Sequence, residues 1–357
     1  MTRLTRAESQ ERNRARVLAA ARDEFAERGF RDAKIDVIAE RAELTRGAVY
    51  SNFPGKRALY FAVLARLAAQ APVAPHAQPG DTVKEALGAL ARAWVARLPE
   101  PGERLGLELI PEIVADERVT LPFTQLMKLD ALLLALALER LRPPGKAPEE
   151  PPARLVRLAE TVLTTLHGAS RMAAAAPGFV EPFDVISACE QLAGLKLNDF
   201  WAPPRTAPAA ERVALPWVPP SAIDLVRAAP AELHGDGVVT VVGLHRLSAV
   251  EQAVRAGNEV TAVLVTGDPG ELAPLTRLVV GGLCGCLRQA VPASAWPRIR
   301  VVCDESGTLA AAAGVRSVSD ETEVAVRVED GRIVATAEGR GACHAVARDD
   351  LRPVPAR

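Results

Sequence analysis

The sequence predicts a multi-domain chain in which an all-α first part is followed by an α/β part. Up to about residue 201 the apolar residues recur at helical spacing, whereas after a Pro- and Ala-rich stretch short apolar runs of strand length alternate with helical segments. A chain of 357 residues is long enough for two or three domains with cores of their own. We expect four segments, which are 1–66, 67–201, 202–236 and 237–357.

The composition, 49% hydrophobic and 24% charged, excludes a disordered or collagenous chain. The longest uninterrupted apolar run, Ala131 to Leu138, is far shorter than the roughly 20 residues that span a bilayer. The N-terminus is charged where a signal peptide would carry its apolar stretch. The five cysteines are odd in number and sparse, which favours reduced thiols over a disulfide framework. We therefore expect a cytoplasmic protein without a membrane segment.

The positive charge is unevenly distributed, although the formal net charge is only −1. The first sixteen residues contain only two glutamates but five arginines, which are Arg3, Arg6, Arg12, Arg14 and Arg16. This basic arm is where a polyanion could bind. Charge counting alone leaves a frayed, solvated terminus as an equal alternative.

The first part begins with a helix-turn-helix pattern. Apolar positions at helical spacing between Val17 and Phe25 predict a first helix with Gly29 as its C-terminal stop. Two short helices joined by a tight connection follow, and a unit of this kind presents its second helix to the DNA major groove. The four helices are predicted from 11 to 29, 36 to 42, 46 to 53, and from 56 onward.

The segment IDVIAERAELTRGAVYSNFPGKRALYFAVL resembles the DNA-binding domain of the TetR family of transcriptional regulators. The resemblance covers about residues 10 to 65, and AVY, NF and GKRAL after a helix-turn-helix are more specific than a lone pair of helices. It implies a ligand-responsive regulator, most often a repressor, that binds a palindromic operator on double-stranded DNA as a homodimer.

The same resemblance implies a set of DNA contacts. Arg46 and Gly47 lie at the exposed start of the recognition helix, where an arginine can bind guanine O6 and N7. A cation at position 56 is electrostatically unfavourable beside the positive N-terminal end of its helix. A DNA phosphate that binds both the ammonium and the free backbone amides would remove this repulsion. The alternative to DNA contact is a purely structural role, in which Tyr50 is partly in the core and Lys56 is an ordinary solvated lysine. The full predicted set is Lys34, Thr45, Arg46, Gly47, Tyr50, Ser51, Asn52 and Lys56.

Two positions depart from the family pattern. Lys34 stands where a helix-capping Thr is usual, and Glu43 stands where Gly usually makes the turn. We expect Glu43 to adopt a left-handed backbone at a cost of about 1 kcal/mol. Thr45 is expected to cap the third helix with its hydroxyl.

The remaining helices of the first part are predicted at 81–98, 103–117, 121–141, 153–175 and 183–200. In the resembled family such helices form a ligand pocket, and the last two pair with a second subunit. The candidate pocket residues are Trp94, Met127, His167 and Met172, each of which has plain core packing as its alternative. A predicted dimer face contains Leu155, Leu158, Val162, Leu166, Ile186, Leu192 and Leu195. The effector itself is not identified by these residues.

Residues 202–236 are interpreted as a semi-rigid linker with one short helix near 221–229. After it, Asp330-Gly331 is a strong hairpin signal, and the alternation predicts a mixed sheet with helices on both faces. This order is similar to the thioredoxin fold, and CDESGTLAAAAGV with VAVRVEDGRIVATAEG resembles the peroxiredoxin branch. The predicted order is strand 238–244, helix 246–257, strand 259–266, helix 270–291, strand 298–303, helix 307–314, strands 322–329 and 332–338, and a helix from Gly341.

The chemistry that this second resemblance implies is missing. The reactive cysteine is expected at the start of the helix after strand 259–266, where the residues are Thr266 to Gly270. Asp320 and Glu321 replace the expected cis-proline. Cys284 and Cys286 are two apart on a helix and point to nearly opposite sides. No His, Cys or carboxylate group has metal-ligand spacing.

We therefore expect no catalytic residues, no metal, no cofactor and no enzyme activity. The alternative from another class is a thiol-redox sensor or redox enzyme that uses the C-terminal part. A third interpretation makes that part a protein-interaction or dimer-stabilising module.

Overall fold

The computed structural model describes residues 5–71, 78–98, 105–142, 154–197, 199 and 201–348. The first part is helical, with α1 (Arg6–Asp32), α2 (Ile35–Arg41), α3 (Arg46–Tyr50), α4 (Lys56–Gln70), α5 (Val83–Val95), α6 (Leu109–Val114), α7 (Glu117–Arg140), α8 (Val156–Ala175) and α9 (Pro182–Leu192). The second part contains β1 (Glu211–Pro216), β2 (Ile223–Asp224), β3 (Ala229–Pro230), β4 (Gly237–Gly243), α10 (Val250–Arg255), β5 (Val260–Val265), α11 (Pro269–Ala290), β6 (Arg300–Cys303), α12 (Thr308–Ala312), β7 (Glu323–Glu329), β8 (Arg332–Glu338) and α13 (Ala342–Ala347).

The first helix is longer than predicted and has a kink where its stop was expected. Thr5 and Glu8 form a capping box at its start, so α1 begins at Arg6. Gly29 has a φ of 76° inside the helix, and the chain then continues helically to Asp32. The carboxylate of Glu108 accepts hydrogen bonds from the backbone amides of Phe30 and Arg31, which supplies partners for the restarted turn.

The later helices of the first part follow the predicted order with shifted ends. Helix α6 is six residues long, against a prediction of 103–117, and residues 103 and 104 lie outside the described ones. Helix α9 ends at Leu192, because a turn through Gly194 stops it before the predicted residue 200.

The predicted linker 202–236 is built into the second part. Strand β1 pairs antiparallel with β8 at the edge of the sheet, and the segment predicted as a helix near 221–229 instead forms the β2–β3 pair. The buried carboxylate of Asp224 accepts from the amides of Val226 and Val301, which fixes this pair to β6. Proline is tolerated at edge strands, so a Pro-rich composition did not exclude this structure.

The main sheet has six strands in the order β1-β8-β7-β4-β5-β6. Strands β4, β5 and β6 are parallel, whereas β7, β8 and β1 join by antiparallel pairing. Asp330 and Gly331 have φ values of 48° and 71°, as the predicted two-residue hairpin turn requires. The predicted mixed sheet with helices is confirmed.

The two faces of the sheet belong to different apolar clusters, as the alternation of side chains along a strand requires. Val239 and Val241 of β4 face a cluster that contains Trp217 and Leu309. Val238 and Val242 of β4 face a second cluster, which continues through the helices of the first part as far as Val17. The core therefore crosses the predicted boundary at 236/237, and the division into separate folding units stays a prediction.

Helix α11 makes most of this connection. It lies along α4 and also packs against α5 and α7. By length and composition α7 and α11 would be long and apolar enough to cross a membrane, but 67% and 56% of their apolar windows are buried inside the fold. Their position in a shared core accounts for their apolar composition.

The predicted dimer face is wrong in its detail. Leu158, Val162 and Leu166 are buried in the core of the chain itself, so they cannot present a surface to a second subunit. The large apolar side chains that remain exposed near α8 and α9 are Met172, Phe179, Phe183, Leu195 and Leu197.

Candidate nucleic-acid interface and the adjoining cavity

The helix-turn-helix is held together by small and β-branched side chains. Val49 of α3 and Ala39 of α2 are both buried where the two helices meet. Glu43 has a φ of 50°, which confirms the left-handed turn predicted for it. The hydroxyl of Thr45 accepts a hydrogen bond from the amide of Ala48 at 3.2 Å, which confirms Thr45 as the cap of α3.

The start of the recognition helix α3 is exposed. The Arg46 side chain is 61% exposed, and its guanidinium forms an ion pair with Asp36 at 3.2 Å. The guanidinium also lies 5.6 Å from the centroid of the Tyr50 ring, which is itself exposed. An exposed ion pair contributes only about 0–1 kcal/mol, so Arg46 can exchange it for a base contact. Gly47 is exposed beside it and presents bare backbone.

The two polar residues after α3 are bound to the helix itself. The Ser51 hydroxyl and the Asn52 amide both donate to the carbonyl of Ala48, at 2.9 and 2.8 Å. Lys34 is exposed at the N-cap of α2 and makes no side-chain capping bond. Its backbone amide donates to Glu24 at 3.2 Å.

Lys56 points back toward α1. Its ammonium donates to the carbonyl of Arg31 at 2.9 Å and lies 4.8 Å from the centroid of the Phe30 ring. Burial lowers the pKa of Lys56, against the opposing effect of nearby carboxylates such as Glu108. A phosphate contact therefore requires this side chain to leave the end of α1.

Two arginines of the basic arm contact the helix-turn-helix. The Arg14 guanidinium donates to the carbonyl of Asn52 at 3.1 Å and lies 4.4 Å from the centroid of the Phe53 ring. Arg16 pairs with Glu43 of the turn at 2.5 Å. Arg3 lies outside the described residues. Charge counting missed these contacts because it does not distinguish a solvated arginine from one that is bound to another part of the protein.

A cavity of about 570 Å³ lies behind the helix-turn-helix, among α4, α5, α6, α7, α8 and α11. Of the predicted pocket residues, Trp94 and His167 line it. Met127 packs against the core instead, and Met172 is exposed on the surface. Residues that sequence reasoning missed include Arg97, Asp130 and Ser170, together with the α11 side of the cavity.

Several polar groups of the cavity have shifted pKa values or lack hydrogen-bond partners among the described residues. The Trp94 indole donates to the hydroxyl of Ser170 at 2.8 Å and meets the His167 ring edge-on at 4.9 Å. Burial lowers the pKa of His167 to about 4, so the ring is neutral near pH 7. Burial also raises the pKa of Asp130 well above its ordinary value. Asp130 Oδ1 and Arg97 Nε are buried, and neither has a hydrogen-bond partner among the described residues.

A cluster of charged side chains connects α4 to α11 and α7. Arg57, in the first turn of α4, donates to Glu271 of α11 at 2.6 Å and to Asp116, the N-cap of α7, at 2.9 Å. The Arg57 side chain is only 19% exposed. Beside it, a Cβ added at Gly270 would lie 2.8 Å from Pro54, so the start of α11 touches the loop after α3. A separation of 214 residues hid this contact from sequence reasoning.

The thiols lie in apolar surroundings. Burial raises the pKa of Cys189, Cys286 and Cys303 to about 11, and raises the pKa of Cys284 and Cys343 above the ordinary thiol value. All five are free cysteines. Within the described ranges, no group of three or more His, Cys, Asp or Glu residues is arranged to hold a metal ion.

The geometry of α1–α4 is that of a helix-turn-helix DNA-binding domain with an exposed recognition helix. Residues 17–63 match the family described as bacterial regulatory proteins, tetR family. This part of the chain thus matches a TetR-family helix-turn-helix domain, which confirms the resemblance stated for it.

Two curated relatives match over the same part. A segment of 65 residues is 48% identical to the HTH-type transcriptional regulator SrpR of Pseudomonas putida, which is 18% of this chain and 30% of that protein. It is also 48% identical to the uncharacterized HTH-type transcriptional regulator TtgW, likewise of Pseudomonas putida, of which it covers 48%. The chain thus spans less than half the length of either relative.

Solved structures of regulators align over about half of the chain. A TetR transcriptional regulator from Rhodococcus sp. RHA1 is 19% identical with a TM-score of 0.36, covering 52% of this chain and 95% of that one. A putative transcriptional regulator from Streptomyces coelicolor is 25% identical with a TM-score of 0.28, covering 51% and 96%.

Proposed function

We propose that the protein is a ligand-responsive transcriptional regulator that binds a palindromic operator as a homodimer and acts as a repressor. The observation that carries this proposal is a TetR-family helix-turn-helix whose recognition helix starts with an exposed arginine. The large cavity behind it supports response to a small molecule, because pockets of several hundred Å³ suit such ligands.

In this proposal Arg46 recognises base edges, and Gly47 lets the DNA approach the backbone closely. Thr45, Tyr50, Ser51 and Asn52 contact phosphates or bases around α3. Lys34 and Lys56 flank them with positive charge, and Lys56 moves from Arg31 to a phosphate when DNA binds. Contacts to phosphates position the protein, whereas contacts to bases select the sequence.

The dimer forms through the helices near 153–175 and 183–200, in the part of the chain that presents exposed Met172, Phe179 and Phe183. Large apolar side chains exposed to solvent are typical of an interaction surface when they form a patch. The two recognition helices would then contact half-sites about one helical turn, roughly 34–36 Å, or a multiple of it apart.

The proposal is tested by selecting duplexes from random oligonucleotides and measuring affinity by fluorescence anisotropy. We expect Arg46→Ala to lose most of the preference for the selected sequence, because a bidentate arginine–guanine contact contributes about 1–3 kcal/mol of discrimination. Lys56→Ala should weaken selected and random duplexes alike and reduce the salt slope. Lys128→Ala, which removes an exposed charge on α7, is the control. Equal loss on both duplexes for Arg46→Ala would contradict its proposed role.

We further propose that the second part has a non-catalytic thioredoxin-like fold. The parallel pair β4–β5 and the terminal hairpin β7–β8 followed by α13 support this interpretation. The helix end where the resemblance implies a reactive cysteine carries Asp268 as a cap and touches Pro54 through Gly270. The raised thiol pKa values weigh against the redox alternative, because the thiolate is the reactive form.

A further inference from the structure

One wall of the cavity comes from the part of the chain that follows the predicted linker. Leu278, Val279, Gly282, Leu283 and Cys286 of α11 face the same space as Leu64 and Leu67 of α4. Among the residues of the helical part that the structure describes, none forms a wall on this side of the cavity.

Helices α4 and α11 run side by side in the same direction. Their first turns meet where Arg57 binds Glu271, and positions seven to eleven residues further along each helix line the cavity. A ligand in the cavity consequently touches both helices at once.

The cavity contains a cation for which the described residues supply no matching anion. The Arg97 guanidinium donates to the carbonyl of Gly282 at 3.0 Å, and no carboxylate among the described residues lies within ion-pair distance of it. The absence of a Cβ at Gly285 leaves room for this guanidinium, since a Cβ there would lie 3.0 Å from one of its nitrogens. A second cation, the exposed Arg171, also lines the cavity.

The other polar groups of the cavity do not neutralise this charge. His167 is neutral near pH 7, and burial keeps the Asp130 carboxyl protonated over a wider pH range than usual. Asp130 is almost fully buried, with one oxygen that lacks a partner among the described residues. Buried polar groups without partners are costly, so these atoms favour a ligand that binds them.

We propose that this cavity binds an organic monoanion with an apolar body, such as a carboxylate, whose charged group pairs with Arg97 while α11 covers the body. The inference rests on the proposed function, because this ligand would be the effector of the regulator. The mostly apolar lining contacts the body of the ligand, and the uncompensated guanidinium selects its charge. The second part of the chain is then a component of the effector site.

Two fluorescent probes of the same shape separate these requirements in the full-length protein. 8-Anilinonaphthalene-1-sulfonate carries an anionic group, and N-phenyl-1-naphthylamine has the same aromatic body without the charge. We expect Arg97→Gln to weaken binding of the sulfonate by roughly tenfold or more, because a charge-assisted contact is lost. It should leave the affinity for the neutral amine within about twofold. Arg97→Lys should restore part of the sulfonate affinity because it keeps the charge.

The role of α11 is tested at two neighbouring glycines. A Cβ at either Gly281 or Gly282 would meet open space, but only Gly282 is among the residues that line the cavity. Both substitutions by leucine favour the helix, so both variants should fold. We expect Gly282→Leu to weaken both probes by roughly tenfold, as space that the ligand needs is filled, and Gly281→Leu to leave both within about twofold.

Two results would overturn the inference. One is an equal loss of both probes in Arg97→Gln, and the other is the same effect of leucine at positions 281 and 282. Binding of the selected duplex is measured in parallel with wild-type protein. If that binding holds while the probe experiments fail, only the proposed ligand class and the role of α11 are wrong; if duplex binding fails, the proposed function itself is wrong.

Discussion

Arginine has different surroundings on the exposed surface of α2 and α3 and in the contact between α4 and α11. Arg46 on the first surface is mostly exposed, and its partner Asp36 is exposed as well. Arg57 in the second contact is mostly buried and joins three helices through Glu271 and Asp116. The first arginine is open to solvent, whereas the second connects three helices of the chain.

Substitutions in these two places should therefore separate recognition from folding. An exposed ion pair adds little stability, so changes at α3 should affect recognition alone. A partly buried ion pair leaves unpaired charges when one partner is removed, so changes at the α4–α11 contact should affect the fold first. We therefore expect the part of the chain that follows residue 201 to contribute to the stability of the helical part on which α11 packs.

The largest expected effect is that of removing everything after residue 201. This truncation uncovers the faces of α4, α5 and α7 that pack on α11. Each large apolar side chain left exposed costs about 1.5–3 kcal/mol, against a total stability of about 5–15 kcal/mol. We expect residues 1–201 to show no cooperative thermal unfolding by circular dichroism. A truncated chain that melts cooperatively and binds the selected duplex like the full chain would show that the two parts are independent.

A pH effect should follow from the cavity. His167 has a pKa of about 4 in the folded chain and an ordinary value of 6.5, so between these values the unfolded chain binds a proton that the folded chain rejects. The free energy of unfolding is therefore unaffected by His167 above pH 6.5. Below that pH it falls, by up to about 3 kcal/mol at pH 4, because protonation of His167 favours the unfolded chain. Urea unfolding from pH 4.5 to 7.5 should therefore show a smaller loss on acidification in His167→Phe.

Asp130 acts in the opposite direction, because its raised pKa costs stability as the pH rises. The relevant quantity is thus the difference between wild type and His167→Phe, with the exposed His234→Gln as the control. Parallel pH profiles for all three proteins would show that His167 titrates normally and that the cavity is well hydrated.

Removal of each arginine in turn should affect different properties of the protein. We expect Arg57→Ala to lower the free energy of unfolding by about 1–3 kcal/mol, since Glu271 loses its charged partner while partly buried. Arg46→Ala should leave urea unfolding unchanged and alter only duplex selection. Arg66→Ala, an exposed arginine on α4, is the matched control for loss of charge on that helix. Similar unfolding curves for Arg57→Ala and Arg66→Ala would contradict the importance of the α4–α11 contact.

The smallest expected effect concerns the thiols. The folded chain should react with a thiol reagent much more slowly than the unfolded chain, in which all five cysteines become accessible. The full chain should neither reduce insulin nor consume peroxide with a thiol donor. Turnover that disappears on replacing one cysteine would instead support the redox alternative.

Sequence reasoning placed the local elements well and failed on long-range contacts. Helical spacing and the cap at Thr45 are local properties, as is the Asp330-Gly331 turn, and each is present in the structure. The course of the edge strand β1 could not be predicted, because it depends on pairing with β8 more than a hundred residues away.

The same limit applies to the site. Trp94 and His167 were found because large or polar residues stand out in an apolar helical region, and both line the cavity. Arg97 was not found, because two properties that the sequence does not reveal make it notable. It has no carboxylate partner among the described residues, and it donates a hydrogen bond to the distant Gly282. A predicted dimer face with Leu158 and Val162 failed since a helical stripe does not reveal which neighbour covers it.

Amide hydrogen exchange of α4 and α11 in the full chain measures whether these two helices form one cooperative unit. We expect amides in the middle of both helices to exchange with the same opening free energy and the same dependence on denaturant. Saturation with 8-anilinonaphthalene-1-sulfonate should raise protection in both helices together. If α4 opened at a clearly lower free energy while α11 stayed protected with the sheet, the two parts of the chain would be separate units, which would contradict a shared core.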